Sequence, residues 1–280
     1  MARREILFDG LRFPEGCRWH DGRLWFSDMH TGRLYSADPG TADLRIEFSV
    51  DARLSGMDWL PDGTLVVSSM LDRLVLRRRP GGDVEVHADL SGVTPHPIND
   101  LIVDRSGRII VGGFGHDLYG GAEQSPGPLI GVDADGSPTV LVDDMVFPNG
   151  MVLLTDGTLV VAETWAARLT AFDIAADGAL VNRRLWAALP EGSTPDGICR
   201  DSDDAIWVSS IADGRFLRVR AGGEVTAVVD LDGRLAVDCI LGGSDGRTLL
   251  MSTSNSWQPD ETLGHEGRIE QLRVDGPAAS

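Results

Sequence analysis

The chain has 280 residues, 42% of them hydrophobic, with 34 glycines and few aromatics, a length that one all-β domain can fill. Its formal charge of −18, from 25 basic against 43 acidic residues spread along the chain, repels a polyanion such as nucleic acid and gathers cations. It has no lysine, which excludes Schiff-base catalysis by a side-chain amine, and no apolar run of about 18 residues that would span a membrane.

In chain order, the opening MARREILFDG carries two arginines but no apolar stretch or small-residue cleavage site, so it reads as a strand and not a secretory signal. Next comes EGCRWHDGRLWFSD from Glu15: an apolar run, a turn on Asp-Gly, and a second apolar run. The same form returns in SGMDWLPDGTLVVSS from Ser55, NDLIVDRSGRIIVGG from Asn99 and NGMVLLTDGTLVVAE from Asn149. DGICRDSDDAIWVSS from Asp196 and DCILGGSDGRTLLMS from Asp238 complete the series. Each reads as a β-hairpin, because a turn centred on Asp-Gly, or on Ser-Gly in the Asn99 segment, supplies the backbone that a tight turn needs, and the Asp196 segment extends the same template. The hairpins start 40 to 50 residues apart, with room for two further strands each time, for example LTAFDIA from Leu169 and FLRVRA from Phe216. That period predicts an all-β, six-bladed β-propeller as one domain over residues 1–280; a six-hairpin sandwich does not require so regular a spacing. REILFDG and GRIEQLRVDG fall outside the template and are expected to close the last blade together.

In a propeller the innermost strands line a central channel, so residues at one repeat position meet near one mouth. That position reads Glu15, Ser55, Asn99, Asn149, Asp196 and Asp238, all polar and with no basic residue among them. Buried carboxylates this close must be protonated or share a cation. Oxygen ligands of carboxylate and amide type suit hard divalent ions. A water-filled channel whose side chains satisfy one another is the alternative.

The tripeptides PEG (14–16), IND (98–100), PNG (148–150) and PDG (195–197) carry a resemblance to the senescence marker protein, gluconolactonase and luciferin-regenerating enzyme family, which includes regucalcin. The resemblance covers nearly the whole chain. It implies a six-bladed propeller with one divalent metal in the channel, calcium foremost and magnesium, manganese, zinc or iron as alternatives, and hydrolysis of lactones. It implies Glu15, Asn149 and Asp196 as metal ligands, Asp196 as general base, and Asn99 as the residue that orients substrate or a metal-bound water. Two departures stand out. Pro97 replaces an arginine that many such lactonases use for acidic or polyhydroxylated substrates, and Leu101 replaces a common glycine. Asp238, where a small neutral residue is common, is either a further acid near the metal or hydrogen-bonded within its blade.

Further candidates for the substrate site are His96, beside Asn99, and His116 and Tyr119 in the loop GGFGHDLYGG, with a surface-loop role as the alternative. Trp165 is a candidate pocket wall or a core residue. Ser55 lies in no nucleophile elbow and is expected to line the channel. Cys17, Cys199 and Cys239 fit no disulfide framework or zinc spacing, so buried packing and a cytoplasmic location are expected. The expected function is a metal-dependent lactonase acting on a small molecule, as a monomer or homodimer. The alternatives are a non-catalytic metal- or ligand-binding propeller, or a metal-assisted isomerase or hydratase.

Overall fold

In the computed structural model, which describes residues 3–278, the six hairpins become the two inner strands of six four-stranded sheets. Blade 1 opens with Pro14–His20 and Arg23–Asp28, and blade 2 with Leu54–Trp59 and Leu65–Ser69. Blade 3 opens with Ile98–Val103 and Ile109–Gly113, and blade 4 with Pro148–Leu153 and Leu159–Glu163. Blade 5 opens with Pro195–Arg200 and Ile206–Ser210, and blade 6 with Leu235–Gly242 and Thr248–Ser254. The first strands pack side by side in a ring in which the sixth meets the first. The protein is a six-bladed β-propeller, as the repeat predicts.

Local chemistry explains the hairpins. Gly63, Gly107 and Gly157 occupy one turn position with φ of 81°, 88° and 91°, which a side chain would strain. The acids beside them lock the turns: Asp62 and Asp156 accept the Thr64 and Thr158 N–H groups, each at 2.9 Å. Second strands such as Leu65–Ser69 and Ile206–Ser210 are buried throughout, because neighbouring sheets cover both faces. The outermost Val225–Asp230 alternates between half-buried and exposed residues, as an edge with one solvated face does.

Blade 6 is a composite. Its outermost strand is Glu5–Leu11, paired antiparallel with Gly267–Arg273, and Leu11 lies opposite Gly267. Phe8 and Leu11 are buried by this pairing, and Arg4 Nε meets the buried carboxylate of Glu270 at 2.7 Å. Helix is confined, among the described residues, to the single turns Met29–Thr31 and Thr164–Ala166. No helix is long and apolar enough to cross a membrane.

Candidate metal and substrate site

The inner strands converge so closely that the residue after each anchor is constrained. Gly56 and Gly197 hold two such positions; a Cβ on them would lie 1.6 Å from Asp100 Oδ1 and 1.8 Å from Asp238 Oδ1. Glycine there lets the carboxylates of the next blades fill the channel. Asp238 is held by backbone, accepting the Cys17 N–H at 2.5 Å and the Cys239 N–H at 2.7 Å. It is therefore hydrogen-bonded between blades 6 and 1 and is not part of the cavity lining. Burial pushes its carboxyl up to about 7. Asp100 meets the Arg18 guanidinium, Nη2 to Oδ1 at 3.2 Å. Asp58 accepts the Val103 and Trp59 N–H groups at 2.8 and 2.9 Å.

Above this plug opens a cavity of about 310 Å³, and four anchors line it: Glu15, Asn99, Asn149 and Asp196. They come from blades 1, 3, 4 and 5. Ser55 is buried beside them and donates to Asn99 Oδ1 at 3.4 Å, while Asn99 Nδ2 donates to the Pro148 carbonyl at 3.4 Å. Asn149 Nδ2 donates to Thr164 Oγ1 at 3.3 Å, and Thr164 in turn donates to the Pro195 carbonyl at 2.8 Å. The Asn99 amide is thus oriented from both neighbouring blades, and the Asn149 amide by Thr164 of its own blade, which is tied to the Pro195 carbonyl of blade 5.

The two acids are held against their ordinary chemistry. Burial, together with the charges of Asp196, Asp100 and Asp238, raises the Glu15 carboxyl well above the usual range, and a Ser55 hydrogen bond opposes this. Burial first, then the charges of Asp238 and Asp100, raises Asp196 likewise, with an Asn149 hydrogen bond working the other way. Glu15 Oε1 is buried without a hydrogen-bond partner among the described residues. An orphaned carboxylate oxygen among a second acid and an amide fits a hard divalent cation, which would satisfy the oxygen and offset the like charges. No three His, Cys, Asp or Glu side chains gather into a metal-binding group among the described residues, so such a site consists of two carboxylates and an amide.

The other sequence candidates divide. Tyr119 and Trp165 line the cavity; Trp165 is 39% exposed and its ring lies 5.3 Å from that of Phe147. His116 does not line it: its Nδ1 faces the Phe114 carbonyl at 3.0 Å and its buried ring packs against Phe147. His96 does not line it either, and its backbone bonds locally to the Thr94 hydroxyl. His116 is turned away because its ring nitrogen meets backbone of its own loop and its ring packs on Phe147, whereas His96 is half-buried in the loop ahead of blade 3. Cys17, Cys199 and Cys239 are buried free thiols.

Most of the wall escapes the anchor template. Met29, Met70, Phe114, Thr164 and Ile211 line the cavity, and each is the residue just after its blade's second strand. Their shared repeat position is a signal present in the sequence. Phe13 and Phe147, each two residues before an anchor, add further wall. Phe147 holds a left-handed φ of 59°, an uncommon state for an aromatic residue. Buried Glu163 braces it, accepting the Val146 N–H at 2.8 Å and pairing with Arg168 at 2.7 and 2.9 Å.

Several known proteins resemble this chain in sequence or in fold. The pentonolactonase XacC of Haloferax volcanii is 30% identical over 94% of this chain and 91% of its own length. The 6-deoxy-6-sulfogluconolactonase of Pseudomonas putida is 25% identical, over 92% and 89%. Among solved structures, a luciferin-regenerating enzyme superposes with a TM-score of 0.84 over 100% of this chain and 98% of that one, at 17% identity, a likeness of fold. The family model described as the SMP-30/Gluconolactonase/LRE-like region matches residues 13–255, and the chain belongs to that family.

Proposed function

We propose that this protein is a metal-dependent lactonase. The observation that carries the reading is the meeting of Glu15, Asn149 and Asp196, from three separate blades, in one cavity lining where Glu15 Oε1 has no hydrogen-bond partner among the described residues. The names of the pentonolactonase and sulfogluconolactonase relatives support the reaction class. Glu15, Asn149 and Asp196 would hold the cation, calcium foremost, and its chemistry when bound is Lewis acidity toward the lactone carbonyl.

The chain's own residues divide the remaining work. Asp196 takes a proton from the attacking water as general base, a role that a buried carboxylate at the cavity floor can fill. Asn99, fixed by Ser55 and the Pro148 carbonyl, keeps an N–H free to orient the ring oxygen or the carbonyl. The apolar wall limits access of bulk water.

The test is metal analysis of the purified protein, a melt with and without chelator, and acid release from a panel of lactones. About one divalent ion per chain, a melt lowered by chelation and turnover lost in Glu15→Gln and Asp196→Asn are expected. Undiminished turnover in both variants would remove the mechanism. Metal binding with no turnover of any lactone would make the protein a binding module.

A further inference from the structure

We infer that the substrate is a lactone carrying an apolar substituent, alkyl or aryl, and not a polyhydroxylated sugar lactone; this rests on the lactonase reading above. The cavity lining is divided by chemistry. Its charged and amide groups are the four anchors, and most of the rest is apolar, including Phe13, Met70, Phe114, Phe147, Leu235 and Trp257.

The polar groups near the wall are few. The Thr164 hydroxyl is used twice, by Asn149 and by the Pro195 carbonyl. The Tyr119 hydroxyl lies 3.8 Å from Met29 Sδ. Among the described residues no arginine or histidine lines the cavity: position 97 is proline, Arg53 lies over the face of Tyr119 at 4.4 Å from its centroid, and His116 faces backbone. The indole N–H groups of Trp165 and Trp257 remain, on rings 39% and 40% exposed. A sugar lactone would have to strip water from several hydroxyls against this surface and recover few hydrogen bonds.

The wall is also built at some expense to the backbone. Phe147 keeps its left-handed φ of 59°, and its ring lies 4.6 Å from Phe114 and 5.3 Å from Trp165. Tyr119 continues the aromatic surface to Trp257 at 6.3 Å. Strain maintained in order to present an aromatic ring to a cavity belongs to recognition of what fills it. A cavity of about 310 Å³ is at the small end of ligand sites, which limits the substituent to a compact one.

The experiment is kcat/KM of the metal-loaded protein across lactones compared within each of two ring sizes, with spontaneous hydrolysis subtracted. The series is γ-butyrolactone, γ-valerolactone, γ-hexalactone and γ-nonalactone, against ribonolactone, with dihydrocoumarin and gluconolactone as the six-membered pair. We expect about a fourfold gain per added methylene until the wall is filled, equivalent to about 0.8 kcal/mol each. Ribonolactone and gluconolactone should fall at least about 100-fold below the apolar lactones of the same ring size. Sugar lactones turned over as well as or better than the apolar series would overturn this inference and leave the lactonase reading standing. No turnover of any member would remove both.

Discussion

Arg18 on the first strand of blade 1 spans the channel to Asp100 on the first strand of blade 3, Nη2 to Oδ1 at 3.2 Å, and also donates to the Leu101 carbonyl at 2.9 Å. Burial works against its charge, but the charges of Asp100, Asp58 and Asp238 outweigh that and keep the guanidinium protonated. The channel plug is thus an internal ion cluster with one cation. Arg18→Met leaves the three acids without it and is expected to lose about 3–5 kcal/mol of stability, read by urea unfolding. Adding Asp100→Asn should recover part of the loss. If the double variant is no more stable than the single, the pair is not the source.

Glu163 supports the pocket from behind. Burial opposes its charge, yet hydrogen bonds from Arg168, Thr170 and the Val146 N–H hold its carboxyl below the usual range. Glu163→Gln should cost about 1–3 kcal/mol and raise KM more than it lowers kcat, since it loosens the turn that aims Phe147. A variant with native KM and reduced stability would confine Glu163 to a purely structural role.

The repeat made the propeller legible because hairpin chemistry is local: Asp62-Gly63 and Asp156-Gly157 specify their turns without help from the rest of the fold. The convergence of Glu15, Asn99, Asn149 and Asp196 on one cavity follows from ring symmetry. His116 was not legible. Its loop is rich in glycine, yet its ring packs on Phe147 across the junction of blades 3 and 4 and its Nδ1 meets the Phe114 carbonyl. Trp257, in the loop 255–266, has no repeat position, so only the folded chain brings it to Tyr119. Asp238 shares the anchors' position but turns toward the Cys17 N–H, a choice made by the neighbouring strand.

His30 lies beneath that same loop, its Nδ1 2.8 Å from Thr262 Oγ1 and its ring stacked on Phe13 at 5.2 Å. Burial, then the charges of Arg53 and Arg12, lowers its pKa from 6.5 to about 3. A base with a depressed folded pKa contributes stability above its unfolded value that is lost as pH falls. The melting temperature should therefore decline from about pH 6.5 toward pH 3 more steeply in the native chain than in His30→Gln. Parallel curves would place the acid sensitivity elsewhere.

At the cavity floor, Asp196→Asn should lower kcat by about 10²–10⁴-fold, the usual contribution of a general base, with circular dichroism unchanged. Glu15→Gln should abolish the chelator-dependent shift of the melt. Its metal-free form should unfold at a higher temperature than the native metal-free chain, because a buried like charge is gone. A lower melting point in metal-free Glu15→Gln would argue that Glu15 is satisfied by protein groups alone.

Deleting residues 1–10 removes Phe8 from the core, takes away the Arg4 partner of Glu270 and bares the edge of blade 6. The expected loss is at least about 4 kcal/mol, or roughly 10 °C in melting temperature. Scanning calorimetry measures it, and an unchanged melt would show that the ring holds without this strand.

The same pairing imposes an order of events. Glu5 and Gln271 touch across 266 residues of sequence, so the strand Glu5–Leu11 cannot pair until the five blades and the rest of the sixth that lie between have been made. Closing so long a loop is slow relative to forming hairpins whose strands are neighbours in sequence. Until it closes, Ile6, Phe8 and Leu11 wait on an unpaired segment. The charges of Arg3, Arg4, Glu5 and Asp9 on that segment discourage pairing with a stray strand edge of another molecule. Refolding should accordingly show a fast phase in which five blades gain structure and a slower one in which blade 6 becomes protected from hydrogen exchange.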